Sequence, residues 1–181
     1  MATLNSALDA IERHIGFPRS RSSGVARRLL EAGLLPSGAP GVAPELEQRD
    51  VCLLLATLMS APKLHEAVDH ARAYSAMAPG GAVLSPDAPD SIPRSALDYL
   101  EVYSEVVIGG PADAVDDIRG HRFEFAHGWR ELSAHTPNDT VTRFVLPGAL
   151  ASHQQATHRI AGVVKGEAFV NLMKDLFNGI A

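Results

Sequence analysis

Apolar residues in "TLNSALDAIERHIG" fall at Leu4, Leu8, Ile11 and Ile15, the one-sided stripe of an amphipathic helix, with Thr3 or Asn5 available as N-cap. Pro18 then forces a break, because the residue before proline is pushed out of the helical region. Ser20 or Ser22 can cap a second helix running to about Ala32, with Val25, Leu29 and Ala32 as its buried stripe and Gly33 as its left-handed stop. A Pro/Gly connector at 34–44 separates it from "ELEQRDVCLLLATLMSA", a third helix apolar around most of its second half and therefore expected at the centre. "KLHEAVDHARAYSAM" supplies a fourth, with Leu64, Val68, Ala71 and Ser75 on one face.

Past a turn-rich stretch at 79–94, "RSALDYLEVYSEVVI" again has helical spacing, with Leu97, Leu100 and Val107 inward. The period then changes. In "HRFEFAHGWREL" His121, Phe123, Phe125, His127 and Trp129 alternate with Arg122, Glu124, Ala126 and Arg130, a strand pattern with one aromatic face. "HTPND" is a turn, "TVTRFVLPG" a second strand and "ATHRIAGVV" a third. "GEAFVNLMKDLFNG" closes the chain as an amphipathic helix with Phe169, Leu172, Met173 and Leu176 inward.

This order predicts an α+β protein: a helical unit at 1–78, a linker at 79–94, and at 95–181 a small antiparallel sheet packed with helices on one face. The two units are expected to hold separate cores. At 181 residues and 46% hydrophobic the chain can bury one real core or two small ones. The longest apolar run, "VCLLLATLM", is nine residues, so no membrane span is expected. The N-terminus has acids and no basic region before its apolar residues, which predicts no signal peptide and a cytoplasmic location. The single Cys52 excludes an intrachain disulfide and lies in the apolar run, where a thiol acts as a small hydrophobe.

Net charge is −5, but residues 1–36 carry five arginines against three acids, leaving −7 for the remainder. A basic head on an acidic body fits an anionic partner for the head. "ALDAIERHIGFPRSRSSGVARRLLEAGLLPSG", about 32 residues of the 181, resembles the helix-turn-helix of bacterial and phage DNA-binding proteins. The matching positions are Ser22, Val25, Arg27 or Arg28, Leu29 or Leu30, and "EAGLL" at 31–35. The resemblance implies that the second helix enters the major groove of double-stranded DNA. Arg21, Ser22 and Ser23 would then stand at its tip, the guanidinium reading guanine and the hydroxyls taking phosphate. Arg27 and Arg28 would make backbone contacts, and Arg13 and Arg19 would grip phosphates beside the turn. Gly24 departs from a good recognition helix, costing about 1 kcal/mol relative to alanine. No alternating pattern follows for a wing, so the unit is expected to be wingless and completed by the 45–60 helix.

Other constellations carry less. In "HEAVDH" the histidines are five apart and diverge around a helix, so no zinc site is expected there; His153 and His158 repeat that spacing. The aromatic stripe of 121–129 can be a base-stacking platform or the core face of a sheet, and core is the favoured reading. His127, His135 and Asp139 flank a turn without a recognisable nucleophile beside them. No phosphate-binding glycine loop is present. The chain is therefore expected to be a non-enzymatic, cofactor-free and metal-free DNA-binding protein, a transcriptional regulator first and a phage-type DNA-recognition subunit such as a small terminase second. Its C-terminal half is expected to build a homo-oligomer. The competing classes are a protein-interaction module whose arginines meet an acidic partner, and an enzyme built on the histidines and carboxylates of 121–139.

Overall fold

A computed structural model describes residues 1–38, 42, 44–61, 63–85, 87–89, 92–149 and 160–178. The first helix, α1 (Leu4–Ile15), starts where Thr3 accepts the Ser6 backbone N–H at 3.1 Å and ends at Gly16, whose φ of 86° is left-handed. The second, α2 (Arg19–Glu31), begins directly after Pro18, a residue or more earlier than a serine cap at Ser20 or Ser22 would place it. A two-residue strand β1 (Ala2–Thr3) pairs antiparallel with β2 (Glu45–Leu46), closing the far end of the connector onto the start of α1.

Helix α3 (Gln48–Ser60) opens with a reciprocal Glu47–Asp50 capping box and is buried from Val51 to Ser60. Its central place follows from the apolar circumference of that segment. After a 3-10 turn at Leu64–Glu66 come α4 (Ala67–Ala76), a short strand β3 (Ala78–Pro79), α5 (Ala96–Gly109) and α6 (Ala112–Arg119). Strands β4 (Arg122–Ala126), β5 (Glu131–His135), β6 (Val141–Val145) and β7 (Ala161–Lys165) follow, and α7 (Gly166–Phe177) ends the described chain.

The five-stranded sheet is antiparallel, in the order β3-β6-β5-β4-β7. Its register aligns Phe123 with Ala134 and Val164, and Leu132 with Phe125 and Phe144, so these side chains share one face. That face is the core: Phe123 stacks 5.3 Å from Phe169 of α7, and Phe125 lies 5.8 Å from Tyr74 of α4. The aromatic stripe thus runs into packing as expected. It ends sooner than the alternation predicts, because a turn over 127–130 separates β4 from β5 and removes Trp129 from the strand.

The α+β architecture with helices on one sheet face is as the sequence predicts, but the expectation of two separate cores is corrected. One continuous cluster of buried residues runs from Ala2 through α3 and the sheet to Leu176. Arg13 of α1 pairs with Asp175 of α7 at 2.6 Å, and Arg49 of α3 pairs with Asp98 of α5 at 2.7 Å and with Glu101. The start of the predicted linker is itself a strand: Ala78 and Pro79 align with Val145 and Phe144, and Gly81 accepts the Gly148 N–H at 3.1 Å. No helix among the described residues is long and apolar enough to cross a membrane.

Candidate nucleic-acid interface

The arginines of the basic head sort into two groups. The first is bound to the protein. The Arg19 guanidinium pairs with Asp9 and donates to Asn5 Oδ1 at 3.1 Å, while the Arg19 backbone N–H donates to Glu12 Oε1 at 3.0 Å. With no side-chain cap on α2, these bonds clasp its first turn to α1 and fix the angle of the hairpin. Arg13 is spent on Asp175, which also meets His14 at 2.9 Å.

Arg21 turns inward. Its Nη2 donates to the backbone carbonyl of Ala61, the residue that ends α3. Two residues back, the Met59 carbonyl is met by His127 Nε2 at 2.8 Å. Carbonyls at a helix C-terminus lack intrahelical partners and carry partial negative charge, so a guanidinium and an imidazole are suited to cap them. Ser22, expected at the exposed tip, is 0% exposed and its Oγ bonds only weakly to the Pro18 carbonyl at 3.4 Å. Phosphate cannot reach a side chain placed there. Ser23 is half-buried beside it. Ser22 is therefore packed inside the protein rather than presented at the tip of α2, while half-buried Arg21 caps the end of α3 with one of its donors.

The second group faces water. Arg27 and Arg28 are 81% and 51% exposed and share one acid, Glu31, at 2.8 Å and 3.3 Å. The hydrogen bond from Arg27 holds the Glu31 carboxyl below its ordinary pKa. Exposed pairs of this kind contribute little to stability, so either arginine can exchange Glu31 for another anion at small cost. Gly24, on the same helix, faces Leu64, and a Cβ there would sit 3.4 Å from Leu64 Cδ1, an ordinary contact.

The remaining candidates do not converge. His65 is exposed on the 3-10 turn and His70 is buried on α4; among the described residues no group of three or more His, Cys, Asp or Glu gathers to hold a metal ion. The His153 and His158 pair lies outside the described residues. His127, His135 and Asp139 do not meet: His127 lies in the 127–130 turn at the far end of β5 and faces α3, His135 stands on the outer sheet face 3.6 Å from Glu124, and Asp139 sits in the 136–140 turn with φ 59°. Sequence reasoning missed the network on that outer face. Glu131, fully buried, accepts from Ser133 Oγ and Arg143 Nη1, each at 2.7 Å, while Tyr74 OH donates to its backbone carbonyl at 3.1 Å. Its only sequence signal is Glu-x-Ser in a strand that otherwise alternates.

Comparison with protein-family models finds no matching family, and comparisons with curated proteins and with solved structures find no match.

Proposed function

We propose that this chain binds double-stranded DNA through the outer face of α2, with Arg27 and Arg28 gripping backbone phosphates. The observation that supports this reading is the pairing of two neighbouring, largely exposed arginines on a helix where Arg19 is paired with Asp9 and Arg21 leans on the Ala61 carbonyl. Each guanidinium presents five N–H donors, and Glu31 uses one from each. Phosphate contacts of this type position a protein on a duplex and carry no sequence information directly. The role is that of a duplex-binding regulator or of a DNA-recognition subunit in a phage-type assembly, with base discrimination supplied by groups other than Arg21.

The competing reading, a module whose basic face meets an acidic protein, uses the same two arginines. Fluorescence anisotropy with a labelled random duplex of about 20 base pairs at low salt separates them. Saturable binding that weakens when Arg27 and Arg28 are replaced supports the DNA reading; absence of binding at low salt removes it. Self-association belongs to the same proposal. Edge strand β7 exposes Val163, with Ile160 exposed just before it, on the C-terminal half. Light scattering of the full chain tests it, and a monomer at all concentrations would contradict it.

A further inference from the structure

The carbonyl-capping pair at the end of α3 does not fill the space around it. Beside it is a cleft of about 230 Å³ between the α1–α2 turn, the end of α3 and the sheet. We propose that this cleft binds a small organic carboxylate with a short apolar body.

The chemistry of the lining is one-sided. Arg21 and His127 supply the polar wall, while Phe17, Leu58 and Met59 supply the apolar one, and no acid lines the cleft among the described residues. The Ala61 carbonyl takes one of the five donors of the Arg21 guanidinium, and no other bond to that guanidinium occurs among the described residues. A carboxylate is the planar acceptor that matches the remaining fork. His127 is pinned through Nε2 to the Met59 carbonyl, so its ring is held in place before a ligand arrives. The sheet side is kept close to α3 by Gly162, where a Cβ would stand 2.5 Å from the Met59 carbonyl oxygen and 2.7 Å from its methyl.

Size sets the class of ligand. Pockets for drug-sized molecules usually run about 300–1,000 Å³, so a smaller cleft admits a short chain rather than a ring system. The apolar wall favours a carboxylate with a tail over inorganic phosphate, whose higher charge needs more donors than one half-buried guanidinium provides. The site lies at the first turn of α2, two helical turns from Arg28, and its existence does not depend on duplex binding.

The test is an NMR titration of the full chain with hexanoate, 1-hexanol, hexylammonium and inorganic phosphate in parallel. The expected result is saturable shifts at the Met59 methyl, the His127 ring and the Arg21 Nε–H, with hexanoate binding about tenfold or more tighter than the other three probes. Arg21→Gln should lower hexanoate affinity by about the same factor while keeping the amide spectrum. If loss of the α3 cap unfolds that variant, the ranking of the four probes on the unsubstituted chain decides the matter. Equal affinities across the probes, shifts confined to residues outside the cleft, or unchanged binding by a folded Arg21→Gln chain would overturn the proposal.

Discussion

Arg13 near the start of the chain and Asp175 near its end are joined by a 2.6 Å ion pair, and around it α1 packs along α7. The pair is partly exposed and by itself contributes no more than about 1 kcal/mol. Its meaning is topological: the basic head and the sheet-bearing half close one core together. Residues 1–78 expressed alone would expose Leu8, Ile11 and the α3 surface that α5, β4 and β7 cover. The expected outcome is a fragment without dispersed NMR resonances, and likewise for 95–181. A fragment that folds and unfolds cooperatively would contradict the single core.

Gly24 provides a stability test. A methyl group there meets Leu64 at ordinary contact distance, and alanine relieves the helix-interior cost of glycine. Gly24→Ala should therefore stabilise the protein by roughly 0.5–1 kcal/mol in urea unfolding. A loss of stability would mean that the α2–Leu64 contact is tighter than the structure indicates. Gly162→Ala has the opposite expectation, a loss of about 1–3 kcal/mol, because its Cβ collides with backbone at the end of α3.

Burial, then Arg130, push the His70 imidazole below its ordinary pKa, although Glu66 pulls the other way; burial and the Arg122 charge do the same at His135. A histidine with a lowered folded pKa favours the neutral form in the native state. Its contribution is present above the unfolded value of about 6.5 and is lost as pH falls below it. Urea midpoints should therefore decline between about pH 7 and pH 5. His70→Phe should flatten that decline; an unchanged profile would remove His70 as a cause.

Cys52 is fully buried in α3 and its thiol is pushed well above the ordinary range, chiefly by burial. A thiol reagent should leave the native protein unmodified at pH 8 and react fully once urea is added. Rapid labelling of the native protein would indicate that α3 is open to solvent.

Much of this was legible in the pattern of the chain. The stripes of α1, α2 and α7, the apolar girth of α3 and the alternation around Phe123 and Phe125 all mark buried faces, and periodicity reports burial. Helix α6 was not legible, because its eight residues offer only Val115 and Ile118 as a stripe. Strand β3 is two residues in a turn-rich segment, and it exists through pairing with β6, a long-range contact that no local pattern carries. The tip of α2 was not legible for the same reason. Nothing near Arg21 in sequence signals that the Ala61 carbonyl, forty residues on, needs a donor, so charge alone pointed outward where the fold points inward.

The proposed contact of α2 with a duplex through Arg27 and Arg28 is tested most directly by the salt dependence of binding for the unsubstituted chain and for Arg27→Ala/Arg28→Ala. With two or three phosphates neutralised per chain, log K should fall against log salt with a slope of about −2 to −3, and the double variant should lose about two from that slope. A slope near zero, or one that the double substitution leaves unchanged, would contradict the assignment.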